Sequence, residues 1–164
     1  MTMTLIETIT VGSGGASSIE FTGIPGTGKD LLILVSSRNS STSVSLEYRL
    51  NSDSTSSAYV MKLLQYKNGL VDTDSITSTK FSGVGVSTNY TANTFTSNAI
   101  YVSNYAGSTN KSVSIDEVSE NNATQAYLRI SAGVWNNTAA VTAFSVTSPN
   151  LLVEHSSASL YTIS

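Results

Sequence analysis

The clearest feature of the chain is a series of short segments in which apolar and β-branched residues alternate with polar ones or run together. Residues 2–11 are rich in β-branched side chains, and the glycine-rich stretch 12–15 separates them from a second such segment at 18–22. Residues 31–35 are continuously apolar, and residues 43–50 alternate with a period of two. Since successive strand residues point to opposite faces, these patterns predict four β-strands, with 31–35 covered on both faces.

The middle of the chain carries less regular patterns. Residues 58–67 contain good helix formers at helical spacing, ended by Asn68 and Gly69, so a short helix and another strand fit equally well. Residues 72–98 are mostly Thr, Ser, Asn and Gly, and we expect a long loop excursion there that contacts neighbouring molecules. Strand patterns return at 99–105, 112–118, 126–130, 140–146, 151–154 and 159–163.

These segments amount to about ten short strands separated by Gly, Asn and Ser turns. The spacing predicts an all-β fold, an antiparallel β-sandwich of jelly-roll type with at most one short helix. With 164 residues, the chain is long enough to form one hydrophobic core, and we expect a single domain over residues 1–164.

The composition is unusual in its low charge. Only 12% of the residues are charged, against about a quarter in an average domain, whereas Ser, Thr and Asn are abundant. Neutral hydroxyl and amide groups can be buried against another protein at lower cost than Lys or Glu, which suits a subunit packed among neighbours. A net charge of −3 and scattered basic residues argue against nucleic-acid binding, and we expect no membrane insertion because no apolar run is long enough.

One motif suggests an enzyme, the sequence GIPGTGKD at residues 23–30. It matches a phosphate-binding P-loop through Lys29, but Asp30 stands where a Ser or Thr should hold magnesium, and its carboxylate would repel phosphate. An apolar strand pattern follows the motif, whereas a P-loop is followed by a helix whose N-terminus faces the phosphates. We interpret residues 23–30 as a Pro-Gly turn between two strands.

Other catalytic and metal-binding arrangements are weakly represented. His155 is the single histidine, no Gly-x-Ser-x-Gly sequence frames a serine, and the chain has no cysteine. A calcium site could be assembled only from loosely grouped acids that match no EF-hand, and solvated strand ends are the simpler interpretation. Those acids are Asp72, Asp74, Asp116, Glu117 and Glu120. We therefore predict no enzyme activity, no catalytic or metal-binding residues and no cofactor.

The aromatic residues are the remaining candidates for a binding surface. The chain has eight Tyr, four Phe and one Trp, and tyrosine is common where a ring is buried while its hydroxyl stays polar. Tyr101, Tyr105, Tyr127 and Trp135 could form a sugar-binding platform, or could serve as core and interface anchors. Our candidates for interface or glycan contact are Tyr90, Phe95, Tyr101, Tyr105 and Trp135.

Three segments resemble small virion-associated proteins of tailed phages, especially phages of marine bacteria and cyanobacteria. They are LIETITVGSGGASSIEFTGIP at residues 5–25, IYVSNYAGSTNKS at 100–112 with its continuation through 120–124, and SSASLYTI at 156–163. At the end of the chain the family more often has glycine in place of Thr162, and residues 38–98 are individual to this sequence. The resemblance implies a location in a phage particle and carries no catalytic motif.

Together, these observations lead us to expect a non-enzymatic structural protein of a tailed-phage virion. A decoration protein, also called a knob or cement protein, would bind the outer head surface, with the major capsid protein or other virion proteins as partners. A homo-oligomer is a further candidate, with a trimer as one natural form. The alternative is a tail-fibre or receptor-binding head domain that contacts host surface glycans. An enzyme, either a P-loop NTPase or a polysaccharide hydrolase, is a third and weaker hypothesis.

Overall fold

The computed structural model describes residues 2–67, 69–121 and 126–164, and its regular structure in those residues is entirely β. The predicted all-β sandwich is thus confirmed, with slightly more strands than expected, and these residues include no helix that could span a membrane. The strands are β1 (Met3–Thr10), β2 (Ala16–Thr22), β3 (Asp30–Ser36), β4 (Ser45–Leu50), β5 (Tyr59–Lys67), β6 (Leu70–Ser78), β7 (Phe81–Val84), β8 (Ser97–Val102), β9 (Lys111–Glu120), β10 (Ala126–Trp135), β11 (Ala143–Leu152) and β12 (Ser157–Ile163).

The strands form two antiparallel sheets whose order is that of a jelly roll. The small sheet has the order β2-β11-β4-β7, and the large sheet has the order β1-β12-β3-β8-β9-β10-β5-β6. Without β5, β6, β9 and β10, eight strands remain in two four-stranded sheets, β1-β12-β3-β8 and β2-β11-β4-β7. In each sheet, strands from the beginning of the chain pair with strands from its end. This nested pairing produces the two Greek keys of a jelly roll, so the predicted topology is confirmed.

Two inserted strand pairs widen one sheet of this jelly roll. The β9 strand pairs with β8, β10 pairs with β9, and β5 then joins the far side of β10 through a register that runs from Tyr59 opposite Trp135 to Tyr66 opposite Leu128. The β6 strand therefore becomes one edge of the large sheet, and β1 is the other edge. We call β9, β10, β5 and β6 the sheet extension.

Two expectations for the middle of the chain are corrected. Residues 58–67 form strand β5 and no helix, because β10 and β6 pair with the backbone on both sides; Asn68, expected to end a helix, lies outside the described residues. The predicted loop excursion at 72–98 is wrong for about half of its length, since β6, β7 and the start of β8 occupy residues 72–78, 81–84 and 97–98. The irregular part spans 85–96, and the Arg38 guanidinium holds it by donating to the carbonyls of Tyr90, Thr91 and Thr94.

The hydrophobic core lies between the two sheets and includes inward residues of both the jelly roll and the extension. Near the end of β10, the Tyr59 ring packs edge-on to Phe81 at 4.8 Å between centroids and stacks with Trp135 at 6.5 Å. Gly133 makes this packing feasible, because a Cβ there would lie 2.6 Å from Cε1 of Phe81. The inward face of β10 thus joins the extension to the small sheet.

Candidate interaction surface

The sheet extension is fixed to the small sheet through the free edge of β7. An edge strand leaves backbone N–H and C=O groups unpaired, and in a protein interior such groups need partners. Here the Val84 N–H donates to Oε1 of Glu117 at 2.8 Å, the Asn98 amide donates to the Val84 carbonyl at 2.8 Å, and the Arg129 guanidinium donates to the Ser82 carbonyl. Side chains of the large sheet therefore satisfy the edge of the small one.

An ion pair at the centre of this edge is buried. Glu117 has no exposed side-chain surface, and Nε and Nη2 of Arg129 each lie 2.6 Å from its Oε2. The Tyr48 hydroxyl donates to Oε1 of Glu117 at 3.1 Å, so both carboxylate oxygens are occupied. Burial raises the pKa of Glu117 and the adjacent Arg129 opposes that rise, while burial, followed by the Glu117 charge, raises the pKa of Tyr48. Because both ionic side chains are bonded to other groups inside the protein, we assign this cluster a structural role.

The opposite, outward face of the large sheet is uncovered in the described part of the chain. Along β9 and β10 every second residue is exposed, because the small sheet covers only the inward face. The exposed residues are unusually apolar for a surface and are otherwise mostly Ser, Thr and Ala. Within the described residues, this face of an eight-stranded sheet is left without a covering layer.

The apolar residues of this face converge on the extension. Leu128 pairs with Tyr66, Tyr66 pairs with Val71, and Ile130 pairs with Leu64, so that five side chains on three strands form one surface. Each is between 43% and 70% exposed, and together they line a shallow depression. We call Leu64, Tyr66, Val71, Leu128 and Ile130 the outer patch. A contiguous apolar surface of this kind marks an interaction site more often than isolated exposed residues do.

A more polar concavity lies beside the outer patch, over β3, β8, β9 and β12. Its volume is about 390 Å³, and Asp116 stands on the side nearest the outer patch. We call it the outer groove; its lining includes Leu34, Ser97, Ala99, Asp116, Ser157 and Ser159. Another protein surface can cover these short hydroxyl side chains and the half-exposed Leu34 without burying several unpaired charges.

The structure places the aromatic candidates in two different environments. Tyr105 and Trp135 are fully buried, so their assignment as surface contacts is wrong: the Tyr105 hydroxyl donates to the Pro25 carbonyl, and Trp135 Nε1 donates to Asp53 Oδ2 at 2.8 Å. Tyr127 is also buried and donates to Gln65. The four rings considered for a sugar platform therefore do not assemble on one surface.

The three remaining aromatic candidates, Tyr90, Phe95 and Tyr101, are partly exposed. Tyr90 and Phe95 lie in the irregular segment 85–96, whereas Tyr101 is on β8 and faces outward. The Tyr101 hydroxyl donates to Asp30 at 2.6 Å, a bond that raises the pKa of Tyr101. Their role as contacts stays a prediction.

The segment at 23–30 joins β2 to β3, as the turn interpretation requires, and it leads into a strand. Asp30 is buried and accepts hydrogen bonds from Tyr101 and from the Asn104 N–H at 2.8 Å. The Gly28 N–H, which a P-loop would offer to phosphate, donates to the Tyr105 hydroxyl at 3.1 Å. The residues that resemble a P-loop are therefore engaged in fixing the turn.

The acidic residues considered for calcium do not converge. Asp116 and Glu120 point outward from β9 while Glu117 points inward, and Asp72 and Asp74 lie on the edge strand β6. Within residues 2–67, 69–121 and 126–164, no group of three potential ligands could hold a metal ion. His155 is an exposed turn residue between β11 and β12, with a φ of 72°.

Asp53 has an anchoring role that sequence reasoning missed. Hydrogen bonds from Thr55, followed by those from Trp135 and Asn137, lower the pKa of Asp53 to about 2. The carboxylate thus links the turn after β4 to the end of β10. The asparagine and serine turns around it gave no indication of this long-range contact.

Fold and surface together define a class: a jelly-roll β-sandwich with a widened sheet and an unpartnered apolar face. Comparison with protein-family models, with curated proteins and with solved structures found no match for the chain. Function is therefore inferred from the residues of this surface and from the sequence resemblance.

Proposed function

We propose that this protein is a non-enzymatic structural component of a tailed-phage virion, a decoration protein that binds the outer surface of the head. The observation that carries the proposal is the uncovered outward face of the large sheet, with its outer groove of serine, alanine and leucine side chains. Such a face can be buried against the major capsid protein with little desolvation cost, which is how a cement protein adds contacts to a shell.

Two further considerations support a virion role. Jelly rolls are a recurrent architecture of capsid proteins, although the same fold serves lectins and enzymes and cannot decide function alone. The resemblance to virion-associated proteins covers most of β1, all of β2 and β12, and the second half of β8 with the turn that follows it; its middle segment continues along β9. The described part of its middle segment ends at Asn121, because residues 122–124 lie outside the described residues.

A tail location is the second candidate, and one observation favours it. Tyr101 borders a shallow depression on the outward face together with Ser112, Ser114 and Val134. An aromatic edge beside hydroxyl groups is a common surface for sugars, so a receptor-binding head domain could contact host glycans there. Phe95 and Tyr90 remain further contact candidates.

The proposal is tested by counting the protein in purified phage particles with quantitative mass spectrometry. A decoration protein is expected at hundreds of copies per particle, whereas a tail component is expected at tens at most. Absence of the protein from particles would refute both virion roles.

A rebinding assay tests the surface itself, using particles from a phage that lacks the gene and added recombinant protein. We expect saturable binding to the head, and we expect Leu34→Arg to abolish it because the longer, charged side chain would obstruct the outer groove. Leu151→Arg is the matched control, since Leu151 is similarly exposed, 45% against 41%, but lies on β11 of the small sheet. Equal loss of binding in both variants would contradict the assignment of the outer groove.

A further inference from the structure

The outer patch is bordered by two opposite charges. Lys62 lies on β5 opposite Ala132 of β10, and Asp116 lies on β9 opposite Ile130 of β10. Both side chains point outward and are exposed. One cation and one anion therefore flank β10 on its two sides, opposite two successive outward residues of that strand. Apolar side chains lie between and beyond them. Glu120, farther along β9, lies at the other end of the outer patch.

We propose that the outer patch binds the same surface of a second copy of this chain, forming a two-fold symmetric dimer. A two-fold axis lying in the plane of contact and crossing β10 between Ile130 and Ala132 brings Lys62 of each copy opposite Asp116 of the other. An isologous interface must complement itself, and this surface supplies both members of each ion pair. A partner surface of a single charge sign would leave one of the two charges unpaired.

The size of the surface fits a dimer of modest stability. From their exposed fractions, the five residues of the outer patch present roughly 500 Å² of apolar surface per copy, near the upper end for monomeric proteins. Two copies would bury roughly 1,000 Å² from these residues alone, and the surrounding Val118, Val134 and hydroxyl side chains extend the contact toward the roughly 1,200 Å² of specific interfaces.

The edge of the sheet is a less suitable site for self-association. β6 is a long edge strand, but Asp72 and Asp74 lie on it, and pairing two antiparallel copies of β6 would bring these carboxylates together. Acidic residues on an edge strand commonly prevent edge-to-edge pairing. The face of the extension, which carries a cation as well as anions, therefore fits a second copy better than its edge does.

The test measures the mass of the purified chain by sedimentation velocity over a range of concentrations. We expect a dimer at micromolar concentration, and we expect Ile130→Glu, Lys62→Glu and Asp116→Lys each to weaken it by at least about tenfold in Kd. All three positions are exposed, so the variants should fold, which far-UV circular dichroism verifies. Matched controls are Lys29→Glu on the turn before β3 and Glu20→Lys on the small sheet, which should dimerise like the unmodified chain.

Mixing the two charge variants gives the decisive measurement. Lys62→Glu and Asp116→Lys each place two like charges together when paired with themselves. In the mixed dimer, the introduced carboxylate of one copy meets the introduced ammonium group of the other, and the unmodified Lys62 and Asp116 form the second ion pair. Two weakly associating proteins should therefore form a heterodimer when combined. The proposal is overturned if the unmodified chain stays monomeric or forms a trimer. It is also overturned if the mixture associates no better than each charge variant does alone.

This inference does not depend on a virion role. The dimer contact reaches the outer groove only at Asp116 and Val118 on β9, whereas Leu34 lies two strands away on β3. Leu34→Arg should therefore keep the dimer while losing binding to the head. Conversely, failure of the charge variants to mix would refute the dimer and leave the rebinding result unaffected.

Discussion

Replacing Arg129 with methionine tests whether the buried ion pair is what joins the two sheets. The substitution keeps most of the side-chain volume but leaves Glu117 without its charge partner and the Ser82 carbonyl without its donor. Glu117 would retain only the Val84 N–H and the Tyr48 hydroxyl. Breaking a fully buried pair on one side costs about 3–5 kcal/mol, a large share of the stability of a domain.

The assay is equilibrium unfolding in urea, followed by far-UV circular dichroism. With a urea dependence of roughly 2 kcal/mol per molar, the expected loss lowers the unfolding midpoint by roughly 1.5–2.5 M. Arg49→Met is the matched control, because Arg49 lies 3.1 Å from Glu47 in a pair whose side chains are 24% and 21% exposed. Partly exposed pairs contribute about 1 kcal/mol or less. Equal effects of the two substitutions would refute the structural role of the buried pair.

The pH dependence of the Arg129→Met penalty provides an independent check. Burial raises the pKa of Glu117, and Arg129 opposes this in the unmodified protein. Without Arg129, the folded-state pKa rises further above the unfolded value, so the folded variant binds a proton more tightly than the unfolded chain. The penalty should therefore be largest near neutral pH and shrink as the pH falls. A penalty that grows on acidification would contradict the assignment of its cause to an unpaired carboxylate.

Two further predictions concern packing and acid stability. Gly133→Ala should destabilise the protein by about 1–3 kcal/mol, because its Cβ would meet Phe81 at 2.6 Å, whereas Gly12→Ala, with no atom within 4 Å, should change stability by less than about 0.5 kcal/mol in the same urea assay. The pKa of Asp53 is lowered to about 2, so its contribution to stability is present above about pH 4 and lost as the pH falls toward 2. Urea unfolding followed by Trp135 fluorescence should reveal this loss, and Asp53→Asn should remove it; an unchanged acid dependence in that variant would contradict the assignment.

Much of the fold could be predicted from the sequence because the period of two is strong in the strands with one covered face. In β9 and β10 the inward residues alternate strictly with exposed ones, and the predicted strands fall on them. The same alternation also determines which polar and aromatic side chains are buried. Trp135 and Arg129 are inward residues of β10, and Glu117 is an inward residue of β9. Following this alternation along each strand could have identified the buried Trp135 ring and the buried ion pair of Arg129 and Glu117.

The errors have a physical cause in strands whose two faces resemble each other. β5 is apolar on both faces, since Tyr59 and Met61 enter the core while Leu64 and Tyr66 lie outside, and this removed the alternation that separates a strand from a helix. From Asp72 onward β6 is mostly polar on both faces, as is common for an edge strand, so its pattern matched a loop. In both cases the position of the strand in the sheet decided its structure. For β5 that position depends on pairing with β10, whose residues are 62 to 76 positions away.

The buried ion pair and the exposed apolar patch are two consequences of the same insertions. Widening one sheet by β9, β10, β5 and β6 without widening the other leaves β7 as a free edge facing the extension, and charged and amide side chains are long enough to satisfy its backbone groups. The outward side of the same strands has no third layer to cover it within the described residues. A strand with apolar residues on both faces is typical of a layered protein in which both faces are covered, and in the proposed dimer a second copy supplies this cover for β5. The proposed dimer therefore follows from the same widening of the sheet that creates the buried ion pair.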